Sequence, residues 1–118
     1  MSLYTYAATL KKVIDGDTID VCIDLGFDIH YACRVRLSGV DAPEIRTSNI
    51  EEKKLGLAAK EYVEKWFEAN NNRCIINTIK DKKGKYGRIL GSVFDIKEEK
   101  ILNKELLDKG LANKYSSH

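Results

Sequence analysis

The sequence predicts a mainly β fold: a five-stranded barrel with one helix between the third and fourth strands and a short helix at the C-terminal end. Three observations lead there. Apolar residues alternate through the first third of the chain, a helical stripe follows, and two Ile- and Val-rich segments flank a basic, glycine-containing stretch.

Ile19, Val21, Ile23 and Leu25, then Ile29, Tyr31, Cys33, Val35 and Leu37, recur at a period of two, which argues for consecutive half-buried strands. Leu25-Gly26-Phe27-Asp28 supplies the turn between them. Val13 and Ile14 close an earlier strand, and Asp15-Gly16-Asp17 turns the chain into the next, so the opening is a three-stranded meander. Residues 38–54 hold the only proline and no clean period, and read as an exposed loop. Between Leu55 and Ala69 the spacing changes. Leu55, Ala58, Ala59, Tyr62, Val63, Trp66 and Phe67 form the strongest helical stripe in the chain, and Asn70-Asn71-Asn72 ends it, because Asn tolerates the left-handed conformation.

Arg73–Ile79 and Arg88–Ile96 read as two more strands joined by a long hairpin. The last helix is expected from Asn103 as N-cap to Lys109, with Gly110 just beyond its end and Leu111 against Leu106 in a Schellman motif. This order of elements fits the five-stranded OB-fold barrel, whose closure also removes exposed strand edges.

Composition narrows the chemistry. A chain of 118 residues is expected to form one domain, 1–118, able to bury roughly two-thirds of its unfolded surface. With 43% hydrophobic and 32% charged residues, neither disorder nor a fibrous repeat is indicated. No apolar run is long enough to span a bilayer and no signal-peptide pattern opens the chain, so no membrane partner is expected. The default compartment is cytoplasmic, with secretion following if a leader has been removed. Cys22, Cys33 and Cys74 are widely spaced and read as free thiols. His30 and His118 are the only histidines, leaving almost nothing for a His-based metal cluster or a Ser-His-Asp triad.

Chemistry must therefore run on carboxylates, arginines and a metal. The net charge of +2 does not advertise a nucleic-acid binder, but Lys80 to Arg88 packs five cations and one acid into nine residues. Three motifs stand out: Val13-Ile-Asp-Gly-Asp-Thr18, Arg36-Leu-Ser-Gly-Val-Asp-Ala-Pro-Glu44 and Lys85-Tyr-Gly-Arg88. Their acids and paired arginines suit holding a hard cation against a phosphodiester and delivering water to it. Guanidiniums match an anionic phosphate with a geometry that lysines cannot, and oxygen-only ligands suit an ion such as Ca²⁺.

Each motif also has a plainer reading. Asp15-Gly-Asp17 alone is most simply a polar turn, and its standing improves only through Asp41 and Glu44. Arg34 and Arg36 share one strand face, so a solvated charged surface serves as the plain account of both. A solvated hairpin is the favoured reading for Lys82 and Lys83, and the core for Trp66 and Phe67.

Taken together, the motifs from about Lys12 to Leu111, including a late Gly-Leu-Ala, closely resemble those of the staphylococcal nuclease (thermonuclease) family. The resemblance implies Asp17 and Asp41 as carboxylate ligands of one Ca²⁺, with the backbone carbonyl of Ala42 as a further ligand. It implies Glu44 as general base or water-orienting group, and Arg36 and Arg88 as phosphate clamps that stabilise the transition state. Lys85 and Tyr86 would hold a terminal phosphate and pack near the sugar, while Tyr115 lies one position from an expected base-stacking tyrosine. Family members cleave DNA and RNA to 3′-phosphates. Gly84 stands where the type nuclease has an acid, and Ala42 where a Thr is usual. A third helix of the type member lies beyond His118, so the core is expected to be completed otherwise, self-association being one route.

The leading expectation is a Ca²⁺-dependent nuclease acting on single-stranded or frayed DNA and on RNA. The alternative, from a different class, is a non-catalytic single-stranded nucleic-acid-binding OB module, which degenerate copies of this domain provide. Retention of Asp17, Arg36, Asp41, Glu44 and Arg88 together favours the enzyme. A metal-binding or peptide-binding barrel, a third possibility, gives no reason for paired arginines.

Overall fold

In the computed structural model, which describes residues 3–80 and 89–115, the elements follow the order β1 (Thr5–Asp15), β2 (Thr18–Asp24), β3 (His30–Leu37), β4 (Val40–Asp41), α1 (Ile50–Ala69), β5 (Arg73–Lys80), β6 (Ile89–Phe94), α2 (Leu102–Asp108) and β7 (Asn113–Lys114). The long strands close a five-stranded barrel in the order β1-β2-β3-β6-β5, as the sequence predicts. Every pairing is antiparallel except β3 with β6, which closes the barrel through Val35, Arg36 and Leu37 opposite Ile89, Leu90 and Gly91.

The alternating pattern fills the barrel. Ile19, Val21, Val35, Leu37, Ile76 and Val93 point inward and are buried. Burying such aliphatic side chains stabilises the fold by about 1.5–3 kcal/mol each. The same faces run past the core at the far end of the β2–β3 hairpin, where Leu25, Ile29 and Tyr31 are exposed. Periodicity marks the face of a strand but not where the core beneath it stops.

The helices differ from expectation in informative ways. α1 begins at Ile50, five residues before the apolar stripe, with Asn49 as N-cap accepting the Glu52 amide at 3.1 Å. Glu51 and Glu52 complement the helix dipole in that first turn. Its early turns show no stripe because Ile50, Leu55 and Leu57 face solvent; Ala59, Val63, Trp66 and Phe67 do the packing. At the other end Asn71 and Asn72 take the left-handed conformation, both at φ 58°, as the triple Asn predicts.

Asn103 is not a cap. The residue at that position is Ile101, and Asn103 is buried within α2, accepting the Val93 amide at 2.9 Å and donating to the carbonyls of Ser38 at 2.8 Å and Gly91 at 3.1 Å. It ties α2 to β6 and to the end of β3. The C-terminus of α2 does form the expected Schellman motif: Gly110 at φ 69°, its amide on Leu107, and the Leu111 amide on Leu106 at 2.9 Å.

A further departure lies in residues 38–54. Val40 and Asp41 pair with Lys114 and Asn113 as a two-stranded sheet outside the barrel, and Val40 is fully buried. Two-residue strands have no period to read. This small sheet clamps the chain that follows β3 against the C-terminal segment.

Candidate active site

The first acidic motif is the tight turn from β1 into β2. Gly16 is required there by space: a Cβ would stand 2.6 Å from the Ala59 Cβ of α1 and 2.8 Å from that of Ala42. The turn is therefore pressed between α1 and the segment after β4. The Asp17 amide donates to Asp15 Oδ1 at 3.1 Å. Asp17 itself is buried, and its carboxylate accepts the Thr18 hydroxyl at 2.9 Å and the Ala42 amide at 2.9 Å.

Arg36 reaches the same carboxylate because Thr18 and Arg36 are partners in the β2–β3 register. Its Nη2 lies 3.3 Å from Asp17 Oδ2 and 3.2 Å from Asp41 Oδ1, so one guanidinium nitrogen joins the two acids. The Arg36 side chain is only 13% exposed, whereas Arg34, on the same strand face, is 57% exposed and bound to Asp20. The solvated-face reading holds for Arg34 and fails for Arg36. The guanidinium carbon also sits 4.7 Å from the centre of the Tyr115 ring.

Asp15, which the sequence reading treats as a turn residue, belongs to the cluster. Burial raises its pKa to about 6, and the hydrogen bond and charge of Asp17 add to the rise. Burial pushes Asp17 upward too, yet the hydrogen bonds with Asp15, the Ala42 amide and Thr18, with the charge of Arg36, outweigh it and hold Asp17 below the usual carboxylate range. Asp17 thus stays ionised while its neighbour retains a proton more readily. The signal available in the sequence was the Asp-Gly-Asp spacing itself, which a glycine turn folds back on itself.

Glu44 is exposed and lines a cavity of about 460 Å³ with Asp41, Ala42, Pro43, Asn49, Glu51, Glu52, Leu55 and Asn113. The wall on the helix side is close because Gly56 has no side chain. A Cβ there would meet the Pro43 carbonyl oxygen at 2.7 Å and that of Glu44 at 3.0 Å. Gly56 carries no motif and was not singled out in the sequence, although a glycine inside a helix is itself a sign of close packing. Lys85, Tyr86 and Arg88 lie outside the described residues.

The donors suit a hard cation by type: Asp17 and Asp41 offer carboxylate oxygens to a point now spanned by one Arg36 nitrogen, and the Ala42 amide orients the first of them. Among the described residues no three Asp, Glu, His or Cys side chains converge as a metal site. Two carboxylates would need backbone and solvent oxygens to complete a shell.

A sequence profile described as staphylococcal nuclease homologue matches residues 34–118. The chain is 38% identical over 103 residues to a thermonuclease of Staphylococcus intermedius, an alignment covering 87% of this chain and 56% of that protein. It is 30% identical to an uncharacterised protein of Methanocaldococcus jannaschii (96% and 61% covered) and 32% identical to protein ParB of Escherichia coli (91% and 56% covered). The chain therefore spans little more than half the length of these curated relatives. The chain belongs to the staphylococcal nuclease family.

Proposed function

We propose that the chain is a Ca²⁺-dependent nuclease hydrolysing phosphodiester bonds of DNA and RNA, preferably single-stranded, by direct water attack that leaves 3′-phosphates. The observation that carries this reading is the convergence of Asp17 and Asp41 on one Arg36 nitrogen. It puts two hard oxygen donors and a phosphate-matching guanidinium at one point beside the Glu44 cavity. The thermonuclease relative supports the same class of activity.

The electrostatics support a need for a cation. Asp41, Glu44, Glu51 and Glu52 line the cavity, and no Lys or Arg is among its lining residues within the described part of the chain. A phosphodiester is repelled by such a wall. Asp17, Asp41 and the Ala42 carbonyl would hold Ca²⁺, which when bound would supply the positive charge that reverses this sign.

The chain's own residues do the rest. Glu44, exposed at the cavity, accepts a proton from the attacking water. Arg36 neutralises the oxygens on which charge builds, its donors preorganised by Asp17 and Asp41. Arg88 is assigned the second clamp, with Lys85 and Tyr86 as substrate contacts. Pro43 stiffens the link between Asp41 and Glu44, so ligand and base address the site from one turn.

The test is degradation of single-stranded DNA and RNA by purified protein in millimolar Ca²⁺ or in EGTA, beside Glu44→Ala. Ca²⁺-dependent cleavage to 3′-phosphate ends, reduced at least ~10²-fold in the variant, supports the enzyme. Folded protein that does not cleave, yet binds single strands in EGTA, supports the binding module instead.

A further inference from the structure

We infer that Tyr115 is a positioning residue that acts through Arg36. The inference rests on the nuclease reading above. Arg36 has three described side-chain partners: Asp17, Asp41 and the Tyr115 ring. The first two are the acids assigned to the cation, so their oxygens are shared. The ring is not. A guanidinium over an aromatic face keeps its edge donors free, because the attraction runs through the ring quadrupole and not through N–H bonds. Tyr115 therefore holds the plane of Arg36 while leaving its nitrogens to a phosphate.

The perch of the ring is built into the fold. The Tyr115 amide donates to the Gly39 carbonyl at 3.0 Å, directly after β7 pairs Asn113 with Asp41 and Lys114 with Val40. The segment that carries Asp41 is thus the segment that fixes Tyr115. Val40, fully buried between them, anchors that segment in the core. Ligand and ring are set by one short sheet and Arg36 by the barrel strand that precedes it, which gives β4 and β7 a purpose the barrel does not require. Tyr115 is 41% exposed, so a base contact on the free side of its ring is the competing account.

Tyr115→Leu and Tyr115→Phe in the same chain separate the two. In arginine-labelled protein, the Arg36 Nε–Hε resonance, assigned through Arg36→Lys, is expected to move in Tyr115→Leu and to stay near its native position in Tyr115→Phe. With single-stranded DNA and Ca²⁺, Tyr115→Leu is expected to lower kcat about tenfold with KM within about twofold, and restoring the ring in Tyr115→Phe to recover most of that rate. A resonance unmoved in Tyr115→Leu overturns the contact. A raised KM at preserved kcat overturns the positioning role in favour of base stacking. If the native protein cleaves nothing, the nuclease reading fails, while the resonance still decides whether the ring holds Arg36.

Discussion

Gly56 in α1 and Glu44 in the segment after β4 are in backbone contact: a methyl on Gly56 would lie 3.0 Å from the Glu44 carbonyl oxygen and nearer still, at 2.7 Å, to that of Pro43. A helix interior ordinarily favours Ala over Gly by about 1 kcal/mol. Here the obstacle is backbone, which cannot swing aside as a flexible side chain can. Gly56→Ala is expected to leave the barrel folded, shift the Pro43–Glu44 segment outward and, on the role proposed for Glu44, lower cleavage roughly 10-fold or more, since a misplacement of about 1 Å has costs of that order or larger. Steady-state rates beside a thermal melt check this; native rates in a folded variant would mean Glu44 tolerates the displacement.

Asn103 joins α2 to β6 and to Ser38, just past β3, its buried side chain accepting one hydrogen bond and donating two. Asn103→Ala leaves the Val93 amide and the Ser38 carbonyl without that partner. A loss of about 3 kcal/mol in unfolding free energy is expected, because stranded buried polar groups cost about 1–3 kcal/mol each. Urea denaturation measures it, and a change below about 1 kcal/mol would show that solvent replaces the amide.

The Asp95 carboxylate accepts the Glu99 amide at 2.8 Å and the Lys100 amide at 3.0 Å, closing the turn between β6 and α2. The Lys100 amide is the main reason its pKa lies below the usual value; burial opposes it as the next-largest influence, and the Glu99 amide and the Lys100 charge tip the balance downward. A depressed folded pKa contributes stability above the unfolded value, near 3.8, that is lost as pH falls through the folded value. Asp95→Asn is expected to be less stable than the native chain at pH 7 and to show a shallower loss on acidification. Equal acid limbs in the two proteins would refute the linkage.

Cys74 is fully buried, and burial pushes its thiol to about 12. Cys22 and Cys33 are only partly buried. A thiol reagent at pH 8 is expected to leave Cys74 unmodified in folded protein and to reach it on denaturation, as mass spectrometry of the labelled peptides will show. Rapid native labelling of Cys74 would mean that the β1–β5 side of the barrel opens locally.

How much could be read in advance follows the range of the interactions. Gly110 and Leu111 were legible because a Schellman motif is written in consecutive residues, and the Leu111 amide bonds Leu106 as expected. The barrel strands were legible where a period of two met a core, at Ile19, Val21, Val35 and Leu37. Asn103 was misread because its partner Ser38 stands 65 residues away, and a polar residue before an apolar run looks like a cap until that partner is known.

The sequence by itself determined the strands, the helical stripe, the family and the residue types of the site, because alternation, turn chemistry and motif order are local and additive. Only the tertiary structure showed how differently two arginines on one strand face are placed, one exposed on Asp20 and the other enclosed between two acids. Arg34 and Arg36 are two residues apart, yet only Arg36 faces the turn of β1–β2 and the β4–β7 clamp, where Asp17, Asp41 and Tyr115 surround it. Asp15, Gly56 and the two-residue strands were decided there too. Their roles come from what folding presses against them, and close approach between distant segments leaves no period in the chain.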